Sequence, residues 1–381
     1  MPWQTRNLMN LRREFIELAM QEGVNRRELC RRFGISPKTA YMLLARYQRA
    51  GWDALDERSR RPQRSPLQTN PAMEARIIAL RHEHPAWGGR KISRRLRDLG
   101  LAEVPAPSTV THILHRHGMI VMKQETLTQA CQRFEHAEPN ALWQIDFKGY
   151  FETAAGRCHP LTLLDDHSRF NLALDACART DTLTVKRHLI TVFERYGLPI
   201  RINSDNGSPW GSPSAPGESL SELAIWLVRQ GILMSHSRPY HPQTNGKDER
   251  FHRSLKAEVL AGRSFESLPR VQAAFDRWRT IYNHERPHEA LELATPVKRY
   301  RPSTRSYRTQ LAPIEYAPDD HVVIVGWDGK VVFRGIRLRV SNALHRLPIA
   351  FRPVHTADGC FDVYFCHHCL MRFDLRDPKP L

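Results

Sequence analysis

The sequence has no long apolar run and little cysteine. No segment approaches the roughly 18 consecutive apolar residues of a membrane-spanning helix, and the first ten residues, MPWQTRNLMN, contain no signal-peptide core. Seven cysteines among 381 residues show no spacing typical of a disulfide framework. These absences exclude a membrane span and a disulfide scaffold, and they predict a soluble protein in the reducing cytoplasm, with no membrane partner.

Acidic residues are also in the minority. The chain has 40 Asp and Glu against 57 Lys and Arg, which gives a net charge of +17 and a pI near 9.9. Residues 1–135 hold 24 basic and 13 acidic residues, so +11 of this charge lies in the N-terminal third. Such a balance is typical of proteins that bind a polyanion. Nucleic acid is therefore the predicted partner, and the predicted location is the cytoplasm, in association with the nucleoid.

Residues 1–55 have the pattern of three short helices. Asn25 and Gly34 predict the start and the end of the second helix, and Ser36-Pro37 predicts the start of the third. A helix, a glycine turn and a capped helix form a helix-turn-helix, whose last helix reads DNA. The alternative is any small helical hairpin. The predicted DNA contacts on the third helix are Lys38, Thr39, Tyr41 and Arg46.

A second helical unit is predicted over residues 71–135, after a basic, proline-containing linker at 56–70. Its first helix contains Ile77 and ends before Gly88-Gly89, and its last helix is predicted to be capped by Ser108. This pattern again indicates a helix-turn-helix. The predicted DNA contacts of this unit are Arg90, Lys91 and Arg94.

Residues 136–300 change to an α/β pattern. The predicted strands are 141–147, 157–165, 170–176, 199–203 and 233–236, and the predicted helices are 180–196, 220–230 and 265–283. A second linker is expected at 301–315. Residues 316–377 are all-β, with hairpin turns at Asp328-Gly329 and Asp358-Gly359, and predict a small barrel or sandwich. The fold class is therefore multidomain: all-α helix-turn-helix units, a central α/β core and a small all-β barrel.

The stretch HPQTNGKDERFHRSLK, residues 241–256, changes from turn residues to a helix. An apolar stripe contains Phe251, Leu255 and Val259, and Asp248 points with this stripe in the first turn, where it is expected to cap the helix. A second stripe contains Glu249, Arg253 and Lys256. Glu249 is predicted either to bridge Arg253 or to join other carboxylates. The basic residues predicted to contact DNA here are Lys247, Arg253 and Lys256.

Two further carboxylates favour the second interpretation of Glu249. Asp146 lies inside the strand of WQIDFKG, where an unpaired carboxylate is costly to bury. Asp205 follows the strand of INSDNGSPW, at the end of a strand where α/β sheets place ligands. Phosphodiester chemistry with two divalent ions requires several hard oxygen ligands from different elements. Three unrelated structural carboxylates are the alternative.

These motifs resemble the catalytic core of bacterial insertion-sequence transposases and retroviral integrases. The resemblance covers residues 140–300 and includes NHERPHEAL. It implies a ribonuclease H-like core and a catalytic, metal-ligating triad of Asp146, Asp205 and Glu249. It also implies Mg²⁺ (or Mn²⁺), two ions per site, and cleavage and strand transfer of DNA by a homo-oligomer bound to terminal inverted repeats and target DNA. The 43 residues between Asp205 and Glu249 exceed the usual family spacing, which indicates an inserted surface loop.

Two other readings of the whole chain remain at this stage: a helix-turn-helix regulator that has lost catalysis, and a ribonuclease acting on RNA–DNA hybrids. Four local groups of residues could also be ligands or site residues. Asp165-Asp166 is predicted to be structural, and Cys366 to Cys369 (CHHC) resembles half of a zinc site but is predicted to lie within a strand. His236, His241 and His252 are substrate contacts or structural residues. The cysteines expected to be small buried residues are Cys30, Cys131, Cys158 and Cys177.

Overall fold

The computed structural model describes residues 8–56, 68–120, 135–205, 207–211, 220–236 and 246–376. The chain forms two compact units, residues 1–68 and 69–381. In the ranges just given, no helix is long and apolar enough to cross a membrane. Cys131, His241 and residues 212–219 of the inserted loop predicted at 208–219 lie outside the described residues.

The first unit contains the three predicted helices, α1 (Leu8–Ala19), α2 (Arg26–Phe33) and α3 (Pro37–Ala50). Their termini follow the predicted turn chemistry. The Asn25 side chain accepts hydrogen bonds from the amides of Arg27 and Glu28, and Gly34 ends α2 in the left-handed conformation. The Ser36 hydroxyl caps α3. Apolar residues of all three helices form one core, including Phe15, Leu29 and Leu43.

The second unit begins with three more helices, α4 (Pro71–Glu83), α5 (Gly89–Asp98) and α6 (Pro107–Arg116). Trp87, Ile92 and Ile113 are buried between them. The prediction that Ser108 caps α6 is wrong, because Pro107 already occupies the first helical turn and Ala106 is the cap residue. The helix therefore starts at Pro107, two residues earlier than a cap at Ser108 would place it.

A six-stranded sheet forms the centre of the second unit. Its strands are β1 (Leu142–Phe147), β2 (Phe151–Thr153), β3 (Gly156–Asp165), β4 (Asn171–Cys177), β5 (Arg201–Ser204) and β6 (Leu233–His236). The order is β2-β3-β1-β5-β6, and β4 also pairs with β3. β1 and β5 are parallel, whereas β1 and β3 are antiparallel. The short β2 is absent from the predicted elements, because three residues are too few to show a period.

Helices cover both faces of this sheet, as a mixed α/β core requires. They are α7 (Thr182–Tyr196), α8 (Glu222–Arg229), α9 (Gly246–Leu255), which continues as a π-helical turn (Lys256–Leu260), and α10 (Leu268–His284). Leu163 packs with residues of α7 and α8, while its neighbour Leu164 packs with residues of α9 and α10. Successive strand residues therefore face two different helical layers.

The C-terminal region is all-β as predicted, but the described residues form no closed barrel. Its strands are β7 (His321–Ile324), β8 (Lys330–Phe333), β9 (Ile336–Arg339), β10 (Pro348–Pro353), β11 (Cys360–Phe365) and β12 (His368–Asp374). Four form the antiparallel sheet β12-β11-β10-β7, and β8 and β9 form a separate hairpin. Alternation predicts strands but not whether a sheet closes, because closure depends on strand pairs distant in sequence.

The segment 301–315 has no helix or strand, as expected of a linker, yet it lies against the core. Ser303 donates its hydroxyl to the carbonyl of Leu198 at 2.7 Å, and its amide bonds the carbonyl of Tyr196 at 2.8 Å. The Arg305 guanidinium binds the carbonyls of Pro199 and Gly231. The C-terminal sheet shares its hydrophobic core with α7 and α8, so this part of the chain is continuous with the central unit.

Candidate active site

Two carboxylates meet at one end of the central sheet. Asp146 lies on β1, and Asp205 is the first residue after β5. The parallel register pairs Leu142 with Arg201 and Gln144 with Asn203, and its continuation sets Asp146 opposite Asp205. Adjacent parallel strands end at the same edge of a sheet, so two acids distant in sequence become neighbours.

The two carboxylates repel each other in a partly desolvated place. Burial, followed by the charge of Asp205, raises the pKa of Asp146 to about 7. Asp205 is exposed, and its Oδ1 accepts a hydrogen bond from the amide of Gly207 at 3.1 Å. Its backbone carbonyl accepts one from Nδ1 of His236 at 2.9 Å. These hydrogen bonds hold Asp205 in position. Among the described residues, Asp205 makes no ion pair that would compensate its charge.

Glu249 lies in the first turn of α9 and is exposed, as are Arg253 and Lys256 on the same helix. The apolar stripe Phe251, Leu255 and Val259 is buried, which confirms the predicted orientation of this helix. Among the described residues, Glu249 makes no ion pair with Arg253, so the salt-bridge alternative is not what the structure shows. No group of three or more His, Cys, Asp or Glu side chains in the described ranges is close enough to hold a metal ion. The fold brings together two of the three predicted ligands.

His252, one turn beyond Glu249, reaches the first carboxylate. Its Nδ1 lies 4.0 Å from Oδ2 of Asp146, and its Nε2 lies 2.9 Å from the hydroxyl of Thr162. Burial, and then Lys148, lower the pKa of His252 to about 4, so the ring is neutral at pH 7. The sequence pattern left the role of His252 open, and Thr162 had no recognisable signal because its role depends on the pairing of β1 with β3.

Lysine side chains surround the same edge. Burial and the nearby Lys256 lower the pKa of Lys148, which follows β1 directly. Lys148 carries no sequence signal of its own beyond its place after the strand. The ammonium of Lys247, a predicted DNA contact, pairs with the buried carboxylate of Asp166. This ion pair occupies Lys247 within the protein.

The neighbouring aspartates are structural. Asp165 accepts hydrogen bonds from the amides of Asn140 and Ser168 at 2.7 and 2.8 Å, and Asp166 accepts one from Gln144 at 3.0 Å. Asp248 is 2 % exposed, in agreement with its predicted orientation along the apolar stripe. Burial, followed by Asp146, raises its pKa well above the ordinary range, and its Oδ1 has no hydrogen-bond partner among the described residues.

The predicted DNA contacts in the helical units fall into two groups. On α3, Lys38 and Tyr41 are exposed, whereas Arg46 is half-buried and Thr39 bonds the Ser36 hydroxyl at 2.9 Å. On α5, Arg90 is exposed, whereas Lys91 and Arg94 are half-buried. Arg94 pairs with Asp98 at 3.1 Å and Arg90 lies 4.0 Å from Glu289. Burial lowers the pKa of Lys91 to about 8.

The CHHC segment spans the turn between β11 and β12, not a continuous strand. Cys366 has a positive φ of 53°, and Nε2 of His367 lies 3.2 Å from the carbonyl oxygen of Ile232. Burial lowers the pKa of both His367 and His368. Of the other cysteines, Cys30, Cys158 and Cys177 are buried as predicted.

The donor set at the sheet edge fits a hard divalent cation. Asp146 and Asp205 supply carboxylate oxygens, the ligands that Mg²⁺ and Mn²⁺ prefer. A second acid next to Asp146 and the burial of its side chain both disfavour its anion, and a bound cation would reverse that effect. Two ligands leave coordination positions for water, a substrate or a further carboxylate.

Known protein families match successive parts of the chain. Profiles described as integrase core domain match residues 136–242 and 230–296. A helix-turn-helix domain matches 11–63, a homeodomain-like domain 39–114, and the C-terminal domain of IS481 family transposases 320–381.

Similar whole proteins come from bacterial insertion elements. An uncharacterized IS407 protein of Burkholderia multivorans is 24 % identical over 61 % of this chain and 81 % of its own length. An uncharacterized IS476 protein of Xanthomonas euvesicatoria is 25 % identical over 65 % of this chain and 68 % of its own. Among solved structures, an HTLV-2 integrase catalytic core in complex with magnesium aligns with 43 % of this chain and 99 % of its own, at 16 % identity and a TM-score of 0.33.

Proposed function

Since the chain is a transposase of the IS481 family with an integrase core domain, we propose that it cuts the DNA ends of its insertion element and joins them to target DNA. Water would hydrolyse a phosphodiester bond at each end, and the freed 3′-hydroxyl would then attack a phosphodiester of the target, forming a new bond to its phosphorus and displacing the target's 3′-oxygen. The double-stranded terminal inverted repeats and the target are its substrates. The positive charge of the chain, +17, supports such a polyanionic substrate.

One observation carries this proposal: Asp146 and Asp205 come together at the carboxyl ends of two parallel strands. Burial, followed by the charge of Asp205, raises the pKa of Asp146 to about 7, and a bound cation would favour its anion. The nearby Asp165 is instead held by hydrogen bonds from the amides of Asn140 and Ser168.

Asp146 and Asp205 are the proposed first ligands of Mg²⁺ or Mn²⁺, and Glu249 is the proposed third, for two ions per site. When bound, the ions would activate the attacking oxygen and stabilise the leaving oxygen. Glu249 is exposed at the start of α9, the helix whose His252 already lies 4.0 Å from Asp146. The short distance between this helix and β1 supports the assignment of Glu249.

The basic residues of the same edge are proposed to bind and orient the DNA backbone. Arg253 on α9 and Lys256 in the π-helical turn that follows are both exposed. Burial, and then the nearby charge of Lys256, lower the pKa of Lys148. A cluster of cationic side chains with few carboxylates nearby attracts phosphate groups strongly. His252 is neutral and is proposed to position α9. It adds no positive charge for the binding of phosphate.

The first unit is proposed to bind the element ends through α3, where Lys38 and Tyr41 are exposed. Both ends must be held together for concerted joining, so a homo-oligomer on DNA is the proposed working form, at the nucleoid.

The test is strand cleavage and joining by the purified chain with Mg²⁺ and a labelled duplex of the element end. Asp146→Asn, Asp205→Asn and Glu249→Gln each remove a ligand charge with little change of volume, so each is expected to abolish both steps and to retain DNA binding. The matched control is Glu152→Gln, which removes an exposed carboxylate of β2 that pairs with Arg157 of β3. Full activity of Asp205→Asn would refute the assignment, and a wild-type chain that binds but never cuts would favour an inactive regulator.

A further inference from the structure

The second helical unit is attached to the catalytic core through α5. Arg95 pairs with Glu285, at the end of α10, and both side chains are partly buried. Asp98, one turn further, lies 3.8 Å from Nζ of Lys298. Ile281 of α10 packs against the apolar core formed by α4, α5 and α6. One face of α5 is therefore covered by the core.

A charged link continues from α5 to the helix that carries Glu249. Glu289 lies 4.0 Å from Arg90 of α5 and 3.3 Å from Arg250 of α9. Lys91, next to Arg90 on α5, is half-buried, and desolvation followed by the charge of Arg286 lowers its pKa to about 8.

The third helix of the unit, α6, keeps one face free. Val110, Ile113 and Leu114 are buried, whereas Ser108, Thr109, His112 and His115 are exposed. The helix contains no acidic residue. Hydroxyl and imidazole groups one turn apart match the donors and acceptors that base edges present in the major groove.

The packing of α5 against α6 is that of a helix-turn-helix. A Cβ atom on Gly89 would lie 2.2 Å from the hydroxyl of Thr111 and 2.5 Å from the carbonyl of Pro107, so only glycine permits this approach. In such a unit the helix after the turn enters the major groove. The helices α4, α5 and α6 together carry eight Arg or Lys and three Asp or Glu, so an anionic duplex is the matching occupant.

We propose that α6 reads the major groove of duplex DNA, and that α5, held on the core by Arg95 and Arg90, sets the distance between the DNA that α6 reads and the carboxylates Asp146 and Asp205. This inference rests on the proposed function. It adds a second surface that reads DNA and a fixed distance that determines which phosphodiester is cut. It moves the DNA contacts of this unit from Arg90, Lys91 and Arg94 to α6.

The reading surface is tested by selecting duplexes from a random library with the full chain. The wild type should enrich two sequence blocks, one for each reading helix. Thr109→Ala combined with His112→Ala should lose only one block, with about a tenfold drop in preference, and Lys38→Ala combined with Tyr41→Ala should lose only the other. Arg97→Ala, an exposed change on α5, is the control and should keep both.

The possible failures of this selection differ from one another. If the wild type enriches no sequence, the proposed function fails and the inference fails with it. If the wild type enriches two blocks and the α6 variant retains both, only the inference is overturned. Loss of a block in Arg97→Ala would likewise overturn it, because α5 would then be the reading helix.

The fixed distance is tested by mapping the positions of the nicks on the selected duplex. Arg95→Glu should spread the cuts over several phosphodiesters while DNA binding changes less than about twofold, and Arg95→Glu with Glu285→Arg should restore a single cut. Loss of stability alone lowers the amount of product but does not move the cut. If Arg95→Glu does not fold, Arg90→Ala takes its place. A single unchanged cut position in a folded variant would overturn the coupling.

Discussion

The hydroxyl of Thr162 lies 3.0 Å from the carbonyl oxygen of Asp146 and 2.9 Å from Nε2 of His252. A carbonyl only accepts, so the single hydroxyl proton is donated to Asp146 and Nε2–H of His252 is the donor to Thr162. Nδ1 then carries no proton and faces the carboxylate of Asp146. These bonds connect β1, β3 and α9, and they hold the helix of Glu249 beside the first proposed metal ligand.

Thr162→Val is expected to break this connection without changing the side-chain volume. The free energy of unfolding should fall by about 1–2 kcal/mol, because the donor of His252 loses its acceptor. Strand cleavage should fall by about tenfold or more, as a displaced catalytic group predicts. Urea unfolding and single-turnover cleavage measure the two effects. Thr162→Ser keeps the hydroxyl and should cleave like the wild type; equal loss in both variants would contradict the role of the bond.

Divalent metal should stabilise the folded chain through Asp146 and Asp205. Mg²⁺ at a concentration one hundred times its Kd adds about 2.7 kcal/mol to the free energy of unfolding if it binds only the folded state. Thermal unfolding with and without Mg²⁺ should therefore show a higher Tm for the wild type and no shift for Asp146→Asn. Without metal, Asp146→Asn should unfold at the same temperature as the wild type or higher, because it removes one of two repelling acids.

Lys256→Glu should weaken DNA binding and flatten its dependence on salt. The residue is exposed beside Lys148, and each lost phosphate contact lowers the salt slope by about 1. Glu258, two residues further along the chain, is paired with Arg286 at 2.9 Å. Fluorescence anisotropy across a salt series measures the slope. Lys256→Ala behaving as wild type at every salt concentration would remove Lys256 from the DNA-binding surface.

The ion pair of Glu258 and Arg286 should be a main support of α9. Both side chains are less than a tenth exposed, and Glu258 also accepts a hydrogen bond from the indole of Trp278 at 2.9 Å. Arg286→Met leaves a buried carboxylate unpaired and should lower the free energy of unfolding by about 3–5 kcal/mol. Denaturant unfolding measures this loss. Arg270→Met, at an exposed pair with Glu266, should cost less than about 1 kcal/mol.

His188 should make the stability of the sheet depend on pH. Its hydrogen bond to Asp175, and then that to Cys177, raise the pKa of His188 to about 10. A raised histidine pKa contributes stability that is complete below the unfolded value of about 6.5 and disappears as the pH rises through about 10. His188→Gln should therefore cost about 1–3 kcal/mol near pH 6 and much less above pH 10. The exposed His82→Gln should show no such difference in urea unfolding across pH.

Much of the secondary structure follows from local rules. Asn25, Gly34 and Ser36-Pro37 act within a few residues of themselves, so the helices of the first unit begin and end where these residues predict. Alternation identifies β1, β3 and β4 within one or two residues. The C-terminal region is all-β as predicted, but its described residues show no closed barrel, because sheet closure depends on strand pairs that are distant in sequence. The predicted cap at Ser108 is wrong, because Pro107 already starts the helix.

The sequence alone identified the candidate acids Asp146, Asp205 and Glu249 and predicted the buried stripe of α9, because carboxylate chemistry and helical period are properties of short segments. Only the tertiary structure decided what surrounds them. The parallel pairing of β1 with β5 places Asp205 opposite Asp146, and the packing of α9 on the sheet brings His252 to Thr162. Packing also assigns Lys247 to Asp166 and turns α5 toward the core. Exposure of a charged residue depends on its neighbours in space, and for these residues those neighbours lie far away in the chain.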